Sequence, residues 1–196
     1  MSITTIRPAR PEDVPAIVAM VHELAEYERA PQDCHLTAEQ LSEALFTDRP
    51  ALYGHVALDG AGEPVGMMLW FLNFSTWAGV HGIYLEDLFV RPDSRGGGVG
   101  RALLATLADI CVQRGYARLE WSVLHWNPAR EFYHAIGAAP MDEWLPYRLT
   151  GAPLARLAEA AIPRVEAPNA AAEAPNPTVE AVAVAQGAPH DVAATP

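Results

Sequence analysis

An α/β (α+β) domain is what this sequence predicts, and three observations predict it. Stretches with apolar residues at helical spacing alternate along the chain with short β-prone runs. One such run, Tyr84 to Val90, passes through Pro92, Asp93 and a glycine cluster straight into a helical pattern from Ala102 to Arg114. Two other β-prone runs are joined by a turn of hairpin length.

Taken in order, Ile3 to Arg7 suits a short first strand, turned by Pro8 to Pro11. From Val14, the positions Ile17, Met20, Val21 and Leu24 give one apolar helical face, with Glu23, Glu26 and Glu28 elsewhere. Pro31 stops this helix, and Thr37 with Gln40 forms a capping-box pattern that opens a second one through Leu41 and Leu45. Tyr53 to Leu58 and Pro64 to Phe74 read as an antiparallel ribbon around Asp59 to Gly62. The strand before the glycine cluster follows, then its helix with Leu103, Leu107, Ile110 and Cys111 on one face, closed by Gly115. Arg118 to Leu124 alternates as a strand, and Asn127-Pro128 opens a short helix that holds Phe132, Tyr133 and Ile136 and ends at Gly137. Trp144 to Leu149 reads as a final strand. From about Pro163 the chain is prolines scattered through alanine, valine and glutamate without an aromatic residue, so residues 1–162 are expected to fold and 163–196 to be a disordered tail.

Composition narrows the function. The 196 residues are 51% hydrophobic, ample for a core, and carry 24 acidic against 13 basic side chains, a net charge of −11. The tail holds four acidic residues and one arginine, so residues 1–162 stay at −8. Such a chain repels nucleic-acid backbones and attracts cations, so no nucleic-acid partner is expected. No export signal and no apolar run near the ~20 residues of a membrane span is visible, which predicts a cytoplasmic protein with no membrane partner. Cys34 and Cys111 read as free thiols, and the seven histidines lack the spacing of a zinc site, so no metal is expected.

The glycine cluster sits where a helix begins, and free N–H groups there can hold a phosphate. A P-loop needs a lysine after its last glycine, and this chain has no lysine. A dinucleotide fingerprint starting at Gly96 or Gly98 needs a small residue at Arg101 or Leu103. What remains is Arg95-x-x-Gly98-x-Gly100, which resembles the pyrophosphate motif of the GNAT acetyltransferases; the alternative is a surface turn before an ordinary helix. Further segments match in the same order: Ile6-Arg7-Pro8-Ala9, Glu23 to Glu28, Tyr84-Leu85-Glu86-Asp87, Trp126-Asn127 and Phe132-Tyr133. Within the superfamily the likeness is to the spermidine/spermine and thialysine acetyltransferases, over roughly Ile3 to Ala158.

This resemblance implies a mixed, mostly antiparallel twisted sheet flanked by helices on both faces, and an acetyl-CoA-dependent N-acetyltransferase that acts on a primary amine of a small cationic molecule by direct transfer. By the same resemblance Phe89 and Val90 pair their backbone with the pantetheine arm. Arg95, Gly96, Gly97, Gly98, Val99, Gly100 and Arg101 hold the pyrophosphate, unless the arginines simply pair with Asp93 or Asp109. Asn127 also contacts coenzyme A, although the interval to Tyr133 is one residue shorter than is usual in the related enzymes. Tyr133 becomes the general acid that protonates the leaving thiolate, and Glu86 the base that takes the ammonium proton. Plain packing for the tyrosine, and a solvated strand end for Glu86-Asp87, are the alternatives. Tyr27, Glu28, Glu86, Asp87, Trp77 and Trp126 are expected to bind the amine, and a homodimer is expected. A peptide acetyltransferase and an acyl-CoA-binding module without turnover are the competing readings.

Overall fold

The computed structural model describes residues 5–161. Ile3 and the expected tail lie outside the described residues. The described sheet has five strands in chain order: β1 (Thr5–Pro8), β2 (Tyr53–Leu58), β3 (Pro64–Ser75), β4 (Val80–Val90) and β5 (Leu119–Trp121). The first four are antiparallel neighbours, and β5 lies parallel to β4, so the sheet is mixed and mostly antiparallel as expected. The β2–β3 turn is built by Asp59, whose Oδ1 accepts from the N–H groups of Ala61 (2.8 Å) and Glu63 (3.0 Å). Along β3 and β4 the register runs Leu69↔Asp87 and then Trp70↔Leu85. Glu86 is therefore the extra residue of a β-bulge, a local break that re-aims the strand.

Helices cover both faces. Met67, Leu69 and Phe89 alternate onto one face and pack with Val56 against α1 (Val14–Tyr27) and α2 (Ala38–Leu45) through Val14, Ile17, Met20, Leu41 and Leu45. Full burial of such side chains stabilises by about 1.5–3 kcal/mol each before entropy is set against it. The capping box forms: Gln40 N–H donates to Thr37 Oγ1 (3.3 Å), and Thr37 N–H to Gln40 Oε1 (3.0 Å). The other face carries α3 (Val99–Arg114), whose Val99 side chain lies so near Gly66 that an added Cβ would sit 3.3 Å from it. Gly115, at φ 67°, ends α3 as the sequence predicts.

Entry into α1 is fixed by Asp13, which is 4% exposed. Arg7 grips it with two hydrogen bonds (2.6 and 2.9 Å), and the Arg10 N–H adds a third (2.7 Å). Burial alone would push this carboxyl up, but the bonds from Arg7 and Arg10 outweigh it and hold it below the usual value. Its contribution is therefore present above the ordinary carboxylate range and lost as pH falls through the lowered value. Asp13→Asn is expected to cost about 1–3 kcal/mol in urea melts at pH 7, with the gap to wild type closing in acid. A gap unchanged between pH 7 and pH 2 would count against this account.

Three expectations change. The strand expected over 118–124 pairs only as Leu119–Trp121. Residues 144–149, expected as a final strand, form none; Pro146 removes a backbone donor in the middle of the run, and a strand needs a ladder to hold it. A helix the sequence reading did not mark, α5 (Gly151–Ala158), follows α4 (Ala129–Ala135). The chain divides into two compact units between Glu131 and Phe132.

Candidate functional site

The bulge at Glu86 and the end of β5 coincide. Pairing of β5 with β4 stops at Trp121↔Leu85, so among the described residues β4 from Glu86 to Val90 has a strand partner only on its β3 side. The Arg91 N–H donates to Val65 O (2.9 Å), which fixes the phase of the ladder. Antiparallel pairs alternate, so Phe89 and Asp87 turn their main-chain groups to β3, while Val90 and Leu88 turn theirs to the open edge. Of the two residues expected to pair with an added strand, only Val90 has that orientation. Phe89 is 4% exposed, in the core, and its neighbour Leu88 offers the second set of outward groups. Alternation hides this from a reading that takes the strand end as a block.

The glycine turn follows within a few residues. Gly96 (φ 80°) and Gly98 (φ 82°) occupy left-handed backbone that side chains disfavour, and Gly98 caps α3. The first helical bond runs from Ala102 N–H to Gly98 O (2.9 Å), which leaves the N–H groups of Val99, Gly100 and Arg101 without a partner inside the helix. Gly96, Gly97 and Gly98 are exposed, and Val99 is buried, so only its backbone faces this end. Donors of this kind suit a phosphate. Among the described residues neither Arg95 nor Arg101 pairs with Asp93 or Asp109. Arg95 turns back from the loop: its Nε donates to Val90 O (2.8 Å), and its guanidinium lies 5.2 Å from the Tyr27 ring and 5.4 Å from that of Phe89.

The C-terminal end of α1 supplies the other wall. The Arg29 N–H donates to Glu26 O (3.0 Å) and the Ala30 N–H to Ala25 O (2.9 Å), so the helix closes in a left-handed turn with Arg29 at φ 64°. Tyr27 stands 6.0 Å from Trp126, over which the Arg29 guanidinium lies at 5.0 Å. Tyr27 OH donates to Asn127 Oδ1 (3.4 Å), which also accepts from the Ala129 N–H (2.9 Å). Asn127, expected to contact coenzyme A, thus has its side-chain oxygen engaged by Tyr27 and the start of α4. Asp87 lies opposite Leu69, on the sheet face that α1 covers. Burial pushes its carboxyl up to about 6, and the charges of Glu86 and then Glu28 add to the rise. Burial also raises Glu28. The structure therefore brings Tyr27, Glu28, Glu86, Asp87, Trp126 and Asn127 together beside the open edge of β4.

Trp77 is not among them. It is 93% exposed in the turn between β3 and β4, seven residues beyond Trp70, on the order of 20 Å along the ribbon. Tyr133 lies in the second unit, near the end of α4, with its ring 5.5 Å from Phe132. Two members went unmarked in the sequence. Leu88 needed the ladder phase, and Arg29 needed the helix to stop at Tyr27, two residues before it. Among the described residues no three His, Cys, Asp or Glu side chains are arranged to hold a metal, and no helix is long and apolar enough to cross a membrane.

Known proteins resemble this chain in sequence and in fold. The family model described as Acetyltransferase (GNAT) family matches residues 17–138. A thialysine N-epsilon-acetyltransferase of Caenorhabditis elegans is 34% identical over 161 residues, 80% of this chain and 96% of the relative. An L-ornithine N5-acetyltransferase of Arabidopsis thaliana is 30% identical, over 74% of this chain and 84% of its own length. Among solved structures, an integron cassette protein from the mobile metagenome of V. cholerae superposes with a TM-score of 0.67 at 27% identity, covering 82% of this chain and 99% of that one. With a family model over more than half its length and relatives of this similarity, the chain belongs to the GNAT acetyltransferase family and is an N-acetyltransferase.

Proposed function

We propose that this enzyme transfers the acetyl group of acetyl-CoA directly to a primary amine of a small cationic molecule. The observation that carries the proposal is the open edge of β4, flanked by a phosphate-suited glycine turn on one side and by Glu28, Glu86 and Asp87 on the other. The outward groups of Leu88 and the outward N–H of Val90, whose carbonyl Arg95 holds, suit the amide-bearing pantetheine arm, which adds as a strand would. The unpaired N–H groups at the start of α3 suit its pyrophosphate. The Leu88 N–H suits the carbonyl oxygen of the thioester as charge builds on it.

An ammonium has no lone pair, so the acceptor must lose a proton before attack. The carboxylates attract the cation, and Asp87, raised to about 6, stays ionised at neutrality yet is a stronger base than an ordinary aspartate. This favours Asp87 over Glu86, the exposed bulge residue that the sequence marks as base; Glu86 is the second reading. Tyr133 is the proposed acid for the departing thiolate, on the strength of the Phe132-Tyr133 match.

A thiol-release assay tests the proposal with acetyl-CoA against spermidine, putrescine, ornithine, lysine, thialysine and a basic peptide. Turnover on one or more of the small amines, above that on the peptide, is expected. Acetyl-CoA binding without turnover on any of them would overturn it in favour of a binding module, and turnover on the peptide alone would redirect it to protein amines.

A further inference from the structure

Arg29 stands where helix endings favour glycine. Every other described residue with positive φ is a glycine, and a side chain in that conformation is disfavoured. Strain of this kind is retained where a side chain has something to do. The Arg29 guanidinium rests on the face of Trp126, is exposed, and belongs to none of the ion pairs among the described residues. Around it the site is acidic: Glu28 is its chain neighbour, and Glu28 and Glu86 both act electrostatically on Asp87. A cation held under strain next to this group of carboxylates works against a ligand that is positive at both ends. It works for a ligand with a carboxylate at one end.

We propose that Arg29 recognises a carboxylate of the acceptor, so that the enzyme selects α-amino acids bearing a distal primary amine over diamines and polyamines of the same reach. The distal amine faces the carboxylates of Glu28 and Asp87, and the α-carboxylate meets the planar donors of Arg29, which Trp126 holds in orientation. Selection then has an attractive part, the ion pair, and a repulsive one, because the second ammonium of a diamine meets the guanidinium without the carboxylate that offsets it in an α-amino acid. This rests on the amine-acetyltransferase reading above.

Two substrate pairs isolate the carboxylate: ornithine with putrescine, and lysine with cadaverine. In the full-length enzyme, Arg29→Gly is expected to lower the kcat/KM ratio of amino acid to matched diamine by about 10- to 100-fold, the range of a charge-assisted hydrogen bond. The change is expected in KM, upward for the amino acid and downward for the diamine. Glycine suits the left-handed turn, so thermal melting should hold or rise, which separates lost recognition from lost fold. Arg29→Lys, which keeps the charge, should recover part of the ratio. Parallel changes within each pair, or no change, would overturn the assignment of Arg29 alone. A wild-type enzyme that acetylates none of the four amines would take down the parent reading and this one together.

Discussion

Asp87→Asn is expected to lower kcat/KM at pH 7 by about 10²- to 10⁴-fold, the usual worth of a positioned acid or base. A base must be unprotonated to act, so wild-type kcat/KM should climb as pH rises through about 6 and then level. The asparagine enzyme should lack that limb. Stability should move the opposite way. Burial holds this carboxyl above its ordinary 3.8, so its favourable contribution is complete below 3.8 and is lost as pH rises through about 6. At neutral pH the variant is then expected to be more stable than wild type, by up to about 2–3 kcal/mol. An enzyme that becomes sturdier as it loses its reaction is the mark of a residue kept for chemistry. Glu86→Gln run in parallel decides between the two carboxylates: a larger loss there, with the acid limb intact in Asp87→Asn, would return the role of base to Glu86.

Tyr133→Phe is expected to lower kcat well over tenfold, within the same range, with little effect on the KM for acetyl-CoA. The substitution removes only the hydroxyl and leaves the ring that stands beside Phe132 at 5.5 Å. A loss of packing is thus a poor explanation for any large effect, and unchanged circular dichroism would confirm that α4 survives. Full activity in this variant would mean that the leaving thiolate takes its proton elsewhere.

The sequence was most legible where a rule acts over four or five residues. The Thr37–Gln40 box, the Asp59 turn, the closing glycine at 115 and the α1 stripe all depend on near neighbours, and each forms as read. Pairing was less legible because it depends on distant segments. That Glu86 is a bulge follows from where Leu69 and Trp70 fall on another strand. The turning of Phe89 inward and Leu88 outward follows from a single bond between Arg91 and Val65. Arg95 reads as a phosphate residue by motif, yet two rings and a carbonyl draw it back over Tyr27. Residues 144–149 have strand-like composition, but alternation cannot supply a neighbour to pair with. The acidic character of the site was visible from Glu28, Glu86 and Asp87; the elevation of Asp87 needed its burial.

The break in pairing at Glu86 also bears on unwanted strand pairing. A strand with outward N–H and C=O groups is a template for any extended chain, including another copy's. Here the open length is short, a bulge twists its start, a carboxylate stands there, and Arg95 already holds the Val90 carbonyl. These are the devices by which sheets discourage self-association. The features that admit one narrow ligand thus also turn away unwanted strands, and substitutions that neutralise this corner weaken that guard as well as the chemistry.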